Sequence, residues 1–306
     1  MRKIDGILNV YKESGFTSHD VVAKLRGILH TKKIGHTGTL DPMAEGVLPV
    51  CVGNATKLCE LITGHDKEYE AVMLLGKTYD TLDITGELLE EHEVMSTNDE
   101  IERAVKSFIG GYDQIPPMYS AKKVNGKKLY ELARDGITVE RKSTFVNIYD
   151  IEILAFDIPR IRMRVSCASG TYIRSLIDDI GKKLGCGAAM EELKRTKVGS
   201  FTIDKAQKLS EIENAVSTGK ITDDIIDLES FFSDLESIHT DGAASKLLRN
   251  GNTISGKTIR ALAPALSQAE EGLNVRMYDD LGLFLGVYEY KKTGDIYKPF
   301  KMFLNE

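Results

Sequence analysis

Two apolar, β-branched runs, residues 47–52 and 69–75, constrain this chain more than any other feature of it. Neither alternates polar with apolar side chains, so each predicts a strand buried on both faces. Residues 161–167 differ. Ile161, Met163, Val165 and Cys167 alternate with Arg162, Arg164 and Ser166, the period of a half-buried strand. Gly170 breaks that strand, and Ile173, Leu176, Ile177, Ile180 and Leu184 then share one face of a helix that Gly185 and Gly187 close. Near the start, residues 6–16 predict a short strand and a turn at Gly15. Thr17 and Asp20 stand as a capping box ahead of the apolar stripe Val21, Val22, Leu25, Ile28 and Leu29. Strands and helices interleaved in this way predict a mixed α/β (α+β) domain.

At 306 residues the chain is long for one average domain and suits a large domain with a small one. Its four cysteines, Cys51, Cys59, Cys167 and Cys186, stand singly, with no Cys/His cluster and no H-E-x-x-H run. That argues against a zinc site or a disulfide scaffold. Met1-Arg2-Lys3-Ile4-Asp5-Gly6 carries an acid early and lacks the apolar core of an export signal. No apolar run approaches the roughly 18 residues of a membrane span. The expectation is a soluble, cytoplasmic protein without membrane contact.

The net charge of −6 argues against a bulk polycation but conceals an asymmetry. Residues 83–102 hold eight acids and no Lys or Arg, as a solvated loop and helix start would. Residues 116–145 carry Lys122, Lys123, Lys127, Lys128, Arg134, Arg141 and Lys142 against Glu131, Asp135 and Glu140, a local balance of +4. Pro116-Pro117 opens that stretch and Asn125-Gly126 marks a turn, so it predicts a protruding basic insertion with one helix over residues 127–134. Residues 204–236 form an acidic connector whose nine acids and three lysines account for the whole net charge. Beyond it a short helix (243–249) and the turn Asn250-Gly251 precede aromatic-rich strands, with turns at 279–282 and 291–295. The change in character predicts a boundary at 237/238 and a small β-rich domain over 238–306.

The densest candidate for chemistry is Gly35-His36-Thr37-Gly38-Thr39-Leu40-Asp41-Pro42. Its glycines let the backbone bend tightly and approach a ligand. Pro42 restricts Asp41 to extended conformations, so Asp41 sits in a defined loop between a helix and a buried strand. A structural turn whose Asp caps a helix is the alternative. No phosphate-loop, dinucleotide or nucleophile-elbow motif occurs, so nucleotide cofactors and acyl transfer have no support. A lone carboxylate suggests nucleophilic or acid/base work on a substrate that brings its own leaving group. The second cluster, Ser169-Gly170-Thr171-Tyr172-Ile173-Arg174, stands at a strand-to-helix junction, where free N–H groups suit an anion. Arg174 could grip a carboxylate in two prongs and keep it ionised. A surface pair with Asp178 is the alternative. Tyr69 opens a buried strand, as a core tyrosine also would.

These residues carry a resemblance. The chain resembles the TruB family of bacterial tRNA pseudouridine-55 synthases over nearly its whole length. The match runs in order through the Gly35–Pro42 loop, Asn54-Ala55-Thr56-Lys57, Lys67-Glu68-Tyr69, Thr81-Leu82-Asp83 and Pro116-Pro117-Met118-Tyr119-Ser120-Ala121-Lys122. It continues through Gly170-Thr171-Tyr172-Ile173-Arg174 and Leu193-Lys194-Arg195-Thr196. The resemblance implies isomerisation of uridine in the T-loop of tRNA, in which the bond from ribose C1′ to base N1 is cut and the uracil is turned and rejoined through C5. It implies no metal and no cofactor. It also implies a large mixed-sheet catalytic domain over 1–237, a thumb-like RNA-binding insertion over 116–145 and a small PUA-like domain over 238–306.

By the same resemblance Asp41 is the catalytic carboxylate, Arg174 pairs with it, and Tyr69 stacks on the target base and assists proton removal from C5. Tyr172 and Leu193 match pocket walls, Lys57 a basic position near the site, and Asp83 a further family position. His36 matches a residue linked to everting the nucleotide, a step that costs about a few kcal/mol of unstacking. Lys122 and Lys123, in the thumb, would contact T-arm phosphates without reading sequence. The implied enzyme acts on tRNA as a monomer that needs no protein partner. Two other readings stay open: an RNA-binding or tRNA-folding protein in which isomerisation is dispensable, and a guide-RNA-dependent relative working in a particle. The thumb insertion argues against the second.

Overall fold

In a computed structural model of the chain, residues 4–124 and 126–304 are described. Asn125 of the expected turn and the first three residues of the stretch read for an export signal lie outside them. Contacts divide the chain into two compact units, Leu8–Ile225 and, beyond it, Ile226 onward with the residues up to Ile7. That division falls ahead of the 237/238 boundary read from composition. The reason is local: Phe232 packs on Phe284 and Phe303 at ring separations of 6.5 and 6.1 Å, and the Tyr278 hydroxyl donates to Glu229 at 2.8 Å.

In the larger unit, β1 (Gly6–Lys12, from Leu8 on) leads through the Gly15 turn to α1 (Ser18–Ile28). The capping box forms as expected, with Thr17 N donating to the Asp20 carboxylate at 2.8 Å and Asp20 N to Thr17 Oγ1 at 3.0 Å. β2 (Ile34–His36) and β3 (Glu45–Val52) bracket the glycine-containing loop. There follow α2 (Cys59–Thr63), β4 (Lys67–Leu75), β5 (Lys77–Tyr79), β6 (Leu88–Glu91), α3 (Asn98–Lys106) and β7 (Tyr112–Gln114). The basic insertion holds β8 (Lys123–Val124), β9 (Lys127–Lys128) and α4 (Leu129–Arg134). β10 (Thr144–Val146), β11 (Ile148–Asp157), β12 (Arg160–Cys167), α5 (Ile173–Leu184) and β13 (Ala188–Val198) complete the frame.

The main sheet runs β11-β12-β4-β13-β3-β1. Pairing is antiparallel from β11 to β13 and parallel between β13 and β3, so the sheet is mixed. β12 shows the alternation read from its sequence, with Ile161, Met163, Val165 and Cys167 buried. Those side chains meet Leu176, Ile177 and Ile180 of α5 and Ile101 and Val105 of α3 in one core. At about 25 cal/mol per Å² of buried apolar surface, each of these large side chains contributes roughly 1.5–3 kcal/mol. Gly185 ends α5 in the left-handed region, at φ +77°.

Three expectations need correction. The 69–75 run is buried on both faces only from Ala71 on, because Glu68 and Glu70 stand half-buried and pair with Thr196 and Arg164. The thumb helix starts at Leu129 rather than at residue 127, because the turn at Gly126 (φ +84°) brings Lys127 and Lys128 back to pair with Val124 and Lys123. The acidic stretch holds a strand as well as a helix start: β6 pairs antiparallel with β5, and the Lys77–Glu91 ion pair spans them at 3.2 Å.

The smaller unit is built on a five-stranded sheet ordered 236–239, 274–278, 284–291, 296–302 and 254–255. Ile238, Leu248, Val275, Met277, Tyr288 and Tyr297 fill its core, and its hairpin turns fall where the sequence places them. Among the described residues no helix is long and apolar enough to cross a membrane.

One glycine is indispensable to the junction of β3 and β13. Gly46 lies at φ +107°, and a Cβ there would stand 2.2 Å from the carbonyl oxygen of Arg195. Gly46→Ala combines backbone strain with a backbone clash, and we expect it to cost roughly 3 kcal/mol of stability. Urea unfolding of the two proteins checks this, and a loss under about 1 kcal/mol would contradict the packing described.

Candidate active site

The loop before Asp41 is strapped down by its neighbours. Thr37 is fully buried and bonds the Pro49 carbonyl through both its N–H (3.1 Å) and its hydroxyl (3.0 Å). Leu40 N donates to Ser18 Oγ at 3.0 Å, and Gly15 N donates to the Pro42 carbonyl at 2.9 Å. Beneath it lies Lys12, wholly buried at the end of β1, whose Nζ donates to the Pro42 carbonyl at 3.1 Å and also to the Phe16 carbonyl. Burial pushes the Lys12 amine down to about 8, against the opposing pull of Asp41. Nothing local signals this role: a lysine closing an apolar strand reads as its solvated end.

Asp41 faces Arg174 at the start of α5. Arg174 Nε lies 3.0 Å from Asp41 Oδ2 and Nη2 lies 3.2 Å from Oδ1, a two-pronged grip. The guanidinium is only 6% exposed and spends its remaining donors on the carbonyls of Thr81 (3.0 Å) and Tyr119 (2.7 Å), with Asp83 at 3.5 Å. Asp83 is held in its own turn by Thr81 Oγ1 (2.9 Å) and Thr85 N (3.0 Å). The alternative pairing of Arg174 with Asp178 does not occur, since Asp178 pairs with Lys182 at 2.6 Å. Burial pushes the Asp41 carboxyl above its ordinary 3.8, Arg174 pulls it back, Asp83 pushes it further, and Lys12 also pulls it down.

A second buried cation supports the other wall. Arg195, on β13, is 1% exposed. Its Nε donates to the Val47 carbonyl at 2.7 Å and its Nη2 to the Gly38 carbonyl at 3.2 Å, and it also bonds the Tyr69 hydroxyl. Burial raises the Tyr69 phenol, and Arg195 opposes that rise. Lys67, beside it, donates to the carbonyls of Thr63 (2.8 Å) and His65 (2.6 Å) and is pushed down to about 8 by burial. Gln114 clamps the backbone at the head of α5, accepting from Tyr172 N at 2.8 Å and donating to the Tyr172 carbonyl at 3.1 Å.

These groups enclose a cavity of about 290 Å³ lined by Asp41, Tyr69, Tyr172, Arg174, Leu193 and Arg195, among others. A larger one of about 750 Å³ shares Asp41, Arg174 and Leu193 and extends past Asp83 to Lys128, Tyr130 and Arg134 of the thumb. A carboxylate, a phenol and two guanidinium groups thus line one space.

Comparison with known proteins places the chain in a family. Residues 26–173 match the family model "TruB family pseudouridylate synthase (N terminal domain)", and residues 174–239 match "tRNA pseudouridylate synthase B C-terminal domain". A curated tRNA pseudouridine synthase B of Lachnoclostridium phytofermentans is 49% identical over 98% of this chain and 100% of its own length. The chain belongs to the TruB family. Another member, from Clostridium acetobutylicum, is 43% identical over 95% of this chain and 97% of its own. Among solved structures, the Cbf5-Nop10-Gar1 complex contains a chain with a TM-score of 0.70 and 27% identity, covering 98% of this chain and 84% of that one. The archaeal box H/ACA Nop10-Cbf5 complex gives 0.70 and 26%, covering 97% and 85%. The large mixed sheet is the fold that this TruB chain shares with them. The boundary between the two family models falls at Arg174, so Asp41 and its partner come from different segments of the family pattern.

Not every residue singled out from sequence joins this cavity. His36 is half-buried at the end of β2, its ring edge-on to His19 at 5.3 Å, and burial lowers its imidazole. His19, not His36, reaches the larger cavity. Lys57 lies exposed on the 3₁₀ turn Gly53–Leu58, outside both linings. Lys122 turns to Thr144 Oγ1 at 2.9 Å and Lys123 is exposed, so the thumb meets the groove through Lys128, Tyr130 and Arg134. Nothing in the sequence singles out Lys12 or Gln114, and Lys67 and Arg195 stand there only within family motifs, without a role. Arg195 sits between Lys194 and Lys197 in a stretch that reads as surface, and only the register of β13 beside β3 buries it.

Arg174 holds the Asp41 carboxyl below where burial alone would put it. Removing the guanidinium in Arg174→Gln is therefore expected to move the acid limb of the kcat/KM profile to higher pH and to lower its plateau by about 100-fold or more. An acid limb that stays in place would show that Asp41 is not the ionising group.

Proposed function

We propose that this chain converts uridine 55 in the T-loop of tRNA to pseudouridine, with Asp41 as the catalytic carboxylate. The observation that carries this reading is the bidentate Arg174–Asp41 pair, opening on a cavity with Tyr69 on its wall, in a chain of the TruB family. The reaction needs an ionised carboxylate beside the ribose and base, and Arg174 keeps Asp41 available in that form. The C1′–N1 bond breaks, the uracil turns within the cavity, and C5 bonds to C1′. The hydrogen on C5 leaves as a proton and N1 gains one. Tyr69, its hydroxyl oriented by Arg195, stands against the base and assists that proton's departure. Tyr172 and Leu193 form the walls that hold the ring, and the neutral charge of uracil suits them.

The target must leave the stack before it can enter such a cavity. The His36–Gly38 loop and the thumb supply the groups for this. Lys128 and Arg134 flank the Tyr130 ring at 5.3 and 5.6 Å from its centroid, a cationic wall for the phosphate backbone. The β-rich unit that ends the chain acts as a PUA-like RNA-binding module in this reading. The enzyme acts as a monomer on free tRNA in the cytoplasm, without guide RNA or protein partner.

T-arm RNA carrying tritium at uridine C5 tests the reading directly. Purified chain alone is expected to release tritium to water, which no binding module can do. Asp41→Asn is expected to keep RNA affinity within a few-fold while release falls by about four orders of magnitude. A rate within tenfold of the wild type would reject Asp41. Replacing Lys128 and Arg134 together by Gln is expected to raise KM and flatten the dependence of binding on salt, by up to about one unit of log–log slope per lost phosphate contact, with single-turnover chemistry intact at saturation. An unchanged slope would remove the thumb from RNA binding.

A further inference from the structure

Ser120 belongs to the walls of both cavities. The residue is only 6% exposed, and among the described residues its hydroxyl has no hydrogen-bond partner. A buried hydroxyl left unpaired is costly in a native fold and rare enough to need a cause. The backbone around it is fully engaged. Ser120 N donates to the Met118 carbonyl at 2.9 Å, and the Ser120 carbonyl accepts from Tyr130 N of α4 at 3.0 Å. The preceding carbonyl, that of Tyr119, accepts from Arg174. The residue is thus fixed between the thumb and the cation that faces Asp41, while its own polar atom is left over.

The position says what would satisfy it. Inward lie Asp41, Tyr69 and Arg174; outward lie Lys128, Tyr130 and Arg134. A nucleotide whose base occupies the inner cavity must lead its sugar–phosphate backbone across the threshold between them. A neutral donor suits that place, because a cation there would compete with Arg174 for Asp41. We propose that Ser120 is a substrate-binding residue, whose hydroxyl donates a hydrogen bond to a phosphate oxygen flanking the nucleotide in the Asp41 cavity. The proposal rests on the functional reading above, and its test separates the two.

Ser120→Ala removes the hydroxyl and nothing else. The thermal midpoint is expected to stay level or rise, since an apolar methyl replaces an unpaired polar group. The Kd for T-arm RNA and the KM are expected to rise about tenfold, with kcat within twofold of wild type, the pattern of a contact made equally in ground and transition states. RNA with a neutral methylphosphonate at one of the two linkages flanking the target should weaken wild-type binding by a similar factor. At that linkage it should weaken Ser120→Ala no further. Unchanged Kd and KM, or losses that add in full at both linkages, would overturn the assignment. A lowered midpoint with unaltered binding would do the same by making Ser120 structural. Tritium release by the wild type is scored separately, so a failure of the isomerase reading leaves the Kd comparison intact.

Discussion

A buried guanidinium organises this protein. Arg174 cannot lose its proton, and a cation taken out of water is tolerated only when its donors are met. Three separate segments meet them: the Asp41 loop, the Thr81–Asp83 turn, and Tyr119 at the root of the thumb. None of these could shift far without leaving a buried charge partly unpaired. The placement of Asp41 is thus the consequence of satisfying the cation opposite.

The same logic repeats beneath and beside it. Lys12 and Arg195 are both fully buried; Lys12 donates to the carbonyls of Phe16 and Pro42, and Arg195 to those of Gly38 and Val47. Three cations from β1, α5 and β13 therefore converge on one short stretch of chain. The charges of Arg174 and Lys12 draw the Asp41 carboxyl down while burial and Asp83 push it up, and more than a third of the Asp41 side chain is still exposed. A carboxylate so placed is rigid, ionisable and accessible, which is what chemistry on a neutral base requires. The overall acidity of the chain does not interfere, because the thumb keeps a local balance of +4 and residues 204–236 account for the net negative charge.

Much of the fold was legible locally. The Thr17–Asp20 box, the alternation of β12 and the helix closed by Gly185 each follow from short-range spacing, because caps and periods are set by neighbours in the chain. β13 was not legible. Its sequence mixes Glu191, Glu192, Lys194 and Lys197 with Arg195, and reads as an exposed segment. Pairing with β4 on one side and β3 on the other makes it a central strand. The thumb was visible as a charge patch, yet which of its cations meet the groove was not, since that depends on the hairpin that turns Lys127 and Lys128 back on themselves.

The sequence by itself determined the candidate carboxylate, the glycine and proline restraints on its loop, the helix that begins beside Arg174, and the family to which those motifs belong. These are properties of adjacent residues, and adjacency survives in a string of letters. Only the tertiary structure decided which cations are buried, that Asp41 and Arg174 meet in two prongs, and that the Ser120 hydroxyl is left without a partner. Burial and unsatisfied hydrogen bonding depend on what the rest of the chain brings alongside, over separations that no local pattern records.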